Sequence, residues 1–357
     1  MRKVRVGIVG LGAWGWNVGR SFHELADCDL VACCDLSESR RAAAELNWPG
    51  VKAYRTVDEM FAKSNIEAVV ISSPAVTHYV LVQKALLAGY DVFVEKPFTL
   101  NVENAEALLN LSEERSRVLM VGHLLEYHPV VEELRRMIQS GELGDIYYVY
   151  TQRVNLGRIR GDENALWSFA PHDISQIIYM LGIEPVDVSA RGQSFIQQGI
   201  EDVVFLSLFF DNRIMAHIHL SWLDPHKTRT TTIVGSKRMA VFDDMATTEK
   251  LRVYDSCAMP HHPNSFGEAI QVRFGDIHIP RVPNAEPLKL ECQHFLNCVA
   301  TRTTPRSDAA DGLRVVKILD AAQSSLEQDG NPVSLRGSDD YISTSQRASR
   351  CWTALRA

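Results

Sequence analysis

The most constraining feature of the chain is Gly10-Leu-Gly12-Ala-Trp-Gly15, set between the apolar run Val4–Val9 and an amphipathic stretch carrying Val18, Phe22 and Leu25 on one stripe. A glycine-rich turn joining a buried strand to a helix starts a doubly wound sheet. The alternation then repeats. Strands are expected at Asp29–Asp35, Glu67–Ser73, Asp91–Glu95 and Val118–Val121, and helices at Ser37–Leu46, Thr77–Ala88 and Val102–Glu114. These strands are unbroken apolar runs, so both faces of their sheet must be covered, as in a parallel sheet between two helical layers. Ser37 suits a helix N-cap and Gly89 a C-cap.

The character changes after Gly122. A helix over Val130–Gln139, a strand over Ile146–Val154 and a helix from Pro171 to Leu181 lead into long alternating strands. Val204, Leu206, Leu208 and Phe210 share one face. Beyond Asp211-Asn212, Ile214, Ala216, Ile218 and Leu220 share the same face, with Ser207, His217, His219 and Ser221 opposite. That period-2 pattern across a turn is an antiparallel hairpin with one covered face. Helices over Leu288–Ala300 and Leu313–Leu326 follow, and the stretch from Gly337 is polar. The expected architecture is α/β: an N-terminal Rossmann domain with a doubly wound parallel sheet over 1–122. A C-terminal α+β domain with an open, mainly antiparallel sheet spans 123–336, and a polar tail spans 337–357. The half-polar outer face of the open sheet suits pairing between subunits, so a homo-oligomer is expected.

At 357 residues with 46% hydrophobic content, the chain has the material for two cores. Its net charge of −7 argues against nucleic acid as a partner. No apolar run approaches the ~20 residues of a membrane span, and the basic start runs at once into a strand with no secretory apolar region. The 7 cysteines are odd in number and show no C-x-x-C spacing, which points to a reducing compartment, the cytoplasm. No metal-ligand spacing appears, and His261-His262 reads as a solvated loop pair, so no metal is expected.

Gly10 permits a tight turn, Gly12 lets backbone approach a pyrophosphate, and Gly15 allows close helix–strand packing, while the N–H groups around Ala13 and Trp14 face the anion. Asp35 ends the second strand, where a carboxylate accepts a ribose 2′-hydroxyl and repels a 2′-phosphate. NAD is therefore expected over NADP, although Ser37, Arg40 and Arg41 could cradle a phosphate. Ser73-Pro74-x-x-x-His78 and Glu95-Lys96-Pro97 each lie at a strand's carboxyl end, where open α/β sheets bind ligands, so Ser73, Pro74, His78, Glu95 and Lys96 are expected against the cofactor. Lys96 reads either as an exposed loop cation or as a catalytic ammonium. His78 reads as a helix cap or as a residue packed on the cofactor.

In order and spacing, the Gly10 turn, Ser73-Pro74-x-x-x-His78, Glu95-Lys96-Pro97 and Val121-Gly122-His123 resemble the glucose–fructose oxidoreductase/inositol dehydrogenase (Gfo/Idh/MocA) family over about residues 1–330. The resemblance implies an NAD(P)-dependent sugar or cyclitol oxidoreductase whose motif lysine, here Lys96, works with a histidine of an Asp-x-x-x-His pattern. Here that segment is Ser168-Phe-Ala-Pro-His172, so His172 matches and Ser168 replaces the aspartate. A serine can hydrogen-bond but brings no charge, which leaves Asp162 or Asp173 as substitutes. The segment from Arg153 to Trp167 is similar to members acting on nucleotide sugars, UDP-N-acetylglucosamine among them. Independently, Arg153, Arg158 and Arg160 gather three cations suited to a diphosphate; the alternative is a solvated strand edge. The implied chemistry is oxidation of a sugar C3 hydroxyl held between Lys96 and His172. His172 acts as base and Lys96 stabilises the alkoxide, with the roles reversed if burial depresses the lysine. Tyr127, His123, Asn155 and Asn164 are expected contacts, His123 with the cofactor and the others with substrate. A free-sugar or inositol dehydrogenase, an NAD-dependent glycosidase and a non-catalytic dinucleotide sensor are the competing readings, the last disfavoured by retention of both Lys96 and His172.

Overall fold

The computed structural model describes residues 3–157, 159–161, 163–260 and 270–336. The polar tail, Arg158, Asp162 and His261-His262 therefore lie outside the described residues. The N-terminal unit runs β1 (Val4–Val9), α1 (Ala13–Glu24), β2 (Cys28–Cys34), α2 (Glu38–Asn47), β3 (Lys52–Tyr54), α3 (Val57–Lys63), β4 (Ala68–Ile71), α4 (His78–Leu87), β5 (Asp91–Glu95), α5 (Val102–Glu114) and β6 (Leu119–Gly122). Its six strands are parallel in the order β3-β2-β1-β4-β5-β6. The strand order reverses between β1 and β4, which brings the glycine turn beside Ser72 and opens a ligand crevice there. Every residue of β4 and β5 is buried, the reason their sequences do not alternate. The short β3 and α3 escaped the sequence reading because neither presents a sustained apolar period.

The second half contributes α6 (Pro129–Gln139), β7 (Ile146–Val154), α7 (Ala165–Leu181), β8 (Asp187–Gln193), β9 (Val203–Phe209), β10 (Met215–Ser221), β11 (Thr228–Gly235), β12 (Met239–Asp243) and β13 (Leu251–Tyr254). A separate two-stranded ribbon of β14 (Cys257–Pro260) and β15 (Ile270–Arg273) follows, then β16 (Ile277–His278), α8 (Pro287–Thr301), α9 (Ala309–Glu327) and β17 (Val333–Ser334). Nine strands form one sheet in the order β16-β13-β12-β11-β7-β10-β9-β8-β17. The expected hairpin is present, with Leu206 opposite Ile218 and Leu208 opposite Ala216, all buried beneath α7 and α9. The sheet is mixed, since β7 and β10 run parallel. Its other face leaves Tyr148, Phe205 and Met215 exposed. No helix among the described residues is long and apolar enough to cross a membrane.

Two features depart from the sequence reading. The helix expected to start at Pro171 starts at Ala165, because Asn164 caps it by accepting the Trp167 amide at 3.1 Å, so Pro171 lies inside. The division at 122 is also crossed. Helix α8 returns to the N-terminal unit, where Phe295 packs edge-on against Phe22 and Phe93 at centroid distances of 6.1 and 5.8 Å.

Candidate active site

The crevice begins with the glycine turn. Gly10 has φ of +90°, and a Cβ there would lie 2.6 Å from the Ser73 nitrogen. A Cβ on Gly15 would fall 2.0 Å from the Gly10 carbonyl, so α1 sits directly on the turn. Gly12 is the opposite case, with open space around it. It caps α1 without any side-chain bond, and the first turn carries no acidic residue. The first N–H groups of a helix lack intrahelical partners, and here the sequence leaves them uncovered in a position that fits a diphosphate. Asp35 braces this cradle by accepting the Leu11 amide at 2.7 Å and the Ser37 amide at 2.8 Å, with Arg40 3.6 Å away.

The ends of β4 and β5 supply the next groups. Ser72 Oγ donates to the Gly10 carbonyl at 2.8 Å, and Ser73 shares a hydrogen bond with Thr77 at 2.6 Å ahead of the turn that Pro74 begins. His78 is buried, its Nδ1 2.8 Å from the Pro97 carbonyl and its Nε2 2.9 Å from the Ser73 carbonyl. It ties the two strand-end loops together, and burial holds its pKa below the ordinary value. Its two ring nitrogens are engaged by backbone carbonyls rather than by a helix end. Glu95 is buried beside the Trp14 indole, and burial pushes its carboxyl up to about 7. Next to it the Lys96–Pro97 peptide is cis, and Lys96 Nζ donates to the Ser168 carbonyl at 2.8 Å. Burial lowers the Lys96 pKa, opposed by Glu163 and Glu95.

That hydrogen bond crosses from the first sheet to α7. Pro171 has no N–H to offer the Trp167 carbonyl. The lysine binds not that freed carbonyl but the one on the next residue, Ser168. One turn on, His172 shares this face of the helix. Its pKa is held well below the ordinary value by burial first, then by the charges of Lys96, Arg153 and Arg229. Among the described residues no hydrogen-bond partner is recorded for its ring. Asp173 does not assist it. Its carboxylate binds Arg153 at 2.6 and 3.4 Å in a buried pair. Arg229, beside Arg153 on β11, belongs to this surround and was missed, because only strand register brings it there.

The expected arginine cluster is therefore not a set of free cations. Arg153 is neutralised by Asp173, and Arg160 pairs with Glu163 at 2.9 Å; Arg158 lies outside the described residues. Asn155 follows the end of β7, its amide on the Ser221 carbonyl at 3.1 Å. Asn164, expected at the substrate, is spent as the α7 cap, its amide donating to Glu201 and Gln323. Tyr127 is likewise withdrawn: it is buried, with its hydroxyl 3.0 Å from Ser307 and Arg306 over its ring. His123, expected at the cofactor, is 1% exposed and places Nδ1 2.7 Å from Asp311.

Fold and crevice together define a dinucleotide-dependent oxidoreductase with a lysine and a histidine converging from two units. Residues 4–123 match the oxidoreductase family with an NAD-binding Rossmann fold, and residues 131–241 match the GFO/IDH/MocA C-terminal domain. The chain belongs to the Gfo/Idh/MocA oxidoreductase family. It is 27% identical over 317 residues to UDP-N-acetylglucosamine 3-dehydrogenase of Acidithiobacillus ferrooxidans, across 88% of this chain and 95% of that protein. The structure of that enzyme, GnnA, superposes with a TM-score of 0.77 at 26% identity, covering 92% of this chain and 99% of the other. Inositol 2-dehydrogenase of Rhizobium meliloti is 30% identical over 204 residues, 56% of this chain and 61% of that protein.

Proposed function

We propose that the chain oxidises the 3-hydroxyl of a UDP-sugar, UDP-N-acetylglucosamine, using NAD as the hydride acceptor. The observation that carries the reading is the 2.8 Å bond from Lys96 Nζ to the Ser168 carbonyl, which sets the lysine against the helix that presents His172. The extent of the match to the A. ferrooxidans enzyme supports the nucleotide-sugar substrate. NAD is favoured over NADP because Asp35 places a carboxylate beside the cradle, where a 2′-phosphate would be repelled.

A nicotinamide cofactor, when bound, supplies the hydride acceptor, held by the Gly10–Gly15 turn, Asp35 and the strand-end residues Ser73 and Pro74. The chain's own groups handle the proton. His172, kept neutral by burial and three neighbouring cations, accepts the hydroxyl proton. Lys96 keeps two N–H donors beyond the one given to Ser168 and offers them to the oxygen as its charge develops. Without an aspartate at position 168, His172 gains no charge compensation as it protonates. With no hydrogen-bond partner among the described residues, its ring thus works as a weak base, and Lys96 carries more of the stabilisation.

A second reading, oxidation of an uncharged sugar or cyclitol, is favoured by one observation: Arg153 and Arg160 already have carboxylate partners. The test is NADH formation against a panel of UDP-sugars, free sugars and inositol, with NAD and NADP in turn, and with UDP as competitor. Activity on UDP-N-acetylglucosamine that UDP inhibits is the expected result. Activity confined to free polyols and indifferent to UDP would replace the nucleotide-sugar reading. The exposed outer face of the nine-stranded sheet, with Tyr148, Phe205 and Met215, is our proposed surface for homo-oligomer formation, checked by sedimentation.

A further inference from the structure

Behind the site lies a group of buried titratable side chains that the chemistry above does not use. His123 follows β6, whose last residue, Gly122, pairs with Glu95 on β5. The Glu95 carboxylate lies over that glycine, with Oε2 3.0 Å from where a Cβ would stand. On the other side His123 Nδ1 is 2.7 Å from Asp311 Oδ2, on α9, and 3.4 Å from Glu126 Oε1. Glu95 Oε1 is buried without a hydrogen-bond partner, and Glu126 Oε1 has nothing nearer than the His123 ring at that long 3.4 Å. Glu126 and Asp311 in turn line a cavity of about 540 Å³ with Arg135, Tyr179, Arg306 and Arg314. Carboxylates, histidine and cavity thus form a series leading from the catalytic lysine to a separate face of the molecule.

Unpaired buried carboxylate oxygens call for a bound ion, internal water or a role in proton transfer. One atom each of His123, Glu126 and Asp311 lie within 4.8 Å of one another, a spacing a divalent ion could bridge. Arg314, however, already stands 2.9 Å from Asp311 and His123 fills the gap between the carboxylates, so positive charge is supplied from within. We propose that Glu95, His123 and Glu126, held by Asp311, form an outlet that carries the proton of the oxidised hydroxyl from the active site to the cavity. The proposal rests on reading the chain as an alcohol dehydrogenase.

Proton balance follows directly. Each hydroxyl oxidised leaves one proton on the base of the site. At rest the His123 ring carries both of its protons; hydrogen bonds to Asp311 and Glu126 outweigh burial and raise it to about 9. Glu126 is a neutral acid, pushed up to about 8 by burial and the Asp311 charge. Glu126 releases its proton to water in the cavity and takes the Nδ1 proton of His123. The ring, left with one N–H, turns over about its Cβ–Cγ bond to return that N–H to Asp311 and takes a proton from Glu95 on the nitrogen now bare; Glu95 regains its own from His172, the base that took the hydroxyl proton. One proton has then left, and every group is as it began. The titratable and charged groups facing this series are Glu95 and Lys96 at the end of β5, His172 from α7, Glu126, Asp311 and Arg314 from the cavity side, and Glu291 of α8.

Glu126→Gln gives the decisive variant. The substitution keeps the size of the side chain but removes its exchangeable acid proton, so a merely structural Glu126 would leave proton release in step with NADH. The outlet predicts that proton release during turnover, read with an indicator dye against NADH absorbance, slows about 10-fold or more. Added imidazole buffer should restore it, while NAD affinity stays unchanged. Release in step with NADH in the variant would overturn the proposal. If no substrate gives NADH with the unaltered protein, the functional reading has failed, but the outlet is still tested in the cofactor-free protein. There, solvent exchange of the His123 Nδ1 proton, followed by NMR, should slow about 10-fold in Glu126→Gln, a proton-transfer effect of the same kind. Unchanged exchange, or a stoichiometric metal found by elemental analysis, would also overturn it.

Discussion

On the proposed function, the glycine turn and the arginine segment each have to hold an anionic diphosphate on a chain of net charge −7, and they are built in opposite ways. Around Gly12 there is open space, an uncapped helix end and no acidic side chain in the first turn. Recognition there rests on backbone dipoles fixed before any ligand arrives. In the arginine segment each described cation is already held, Arg153 by Asp173 and Arg160 by Glu163. A preformed dipole costs nothing to reorganise, whereas a paired cation must share or surrender its partner before it can serve a ligand. On that reading the glycine turn is a standing site, and the arginine segment is a set of charges in balance.

The largest expected effect tests the bridge between the two regions. Lys96→Met and His172→Asn should each lower turnover by about 10²- to 10⁴-fold, with NAD affinity, followed by protein fluorescence, unaltered because neither belongs to the glycine turn. The pH profile sharpens this. His172 is held well below its ordinary value, so activity should stay level as pH falls through 6.5 and drop only at more acid pH, when the imidazole takes a proton. An acid limb centred near 6.5 or above would take the base role away from His172. Next in size is Asp173→Asn. It leaves the Arg153 charge buried and half-satisfied, and should cost about 3–5 kcal/mol of stability by urea unfolding. A loss confined to activity would mean that Asp173 serves the catalytic histidine after all.

The same contrast explains what the sequence made legible. The cofactor half was readable because its devices are local: glycine spacing, a strand end and a helix start within a few residues determine the geometry. The substrate half depends on distant partners. Asp173 is adjacent to His172 in sequence yet turns to Arg153 on β7, and Arg229 arrives only through strand register. Pro171 resembled a first-turn proline, but the Asn164 cap won the boundary and carried the helix past it. The acid group behind the site joins Glu126 to Asp311 across most of the chain, and α8 crosses back under the first sheet; neither leaves a local signature.

A smaller effect bears on the preformed side. Asp35→Asn keeps a side-chain acceptor for one of the two amides but loses the other, along with the charge that excludes a 2′-phosphate. NAD affinity should fall about 10-fold, near 1.4 kcal/mol for one charge-assisted hydrogen bond, while NADP gains relative to it. An unchanged NAD:NADP ratio would move the discrimination to Ser37, Arg40 and Arg41.

The smallest effect is the most pointed for the balanced side. Arg160 and Glu163 form a half-exposed pair, a class of interaction that contributes well under 1 kcal/mol. Glu163→Gln should therefore release Arg160 at little cost in stability. If the segment does hold a diphosphate, UDP should bind about twofold tighter, the size such a pair allows, and the gain should shrink with added salt. The direction matters more than the amount, because removing an acid elsewhere on the surface would not be reversed by Arg160→Ala. UDP binding that is indifferent to Glu163→Gln would leave the pair as simple surface bracing, and the contrast with the glycine turn would then be between a site and a wall.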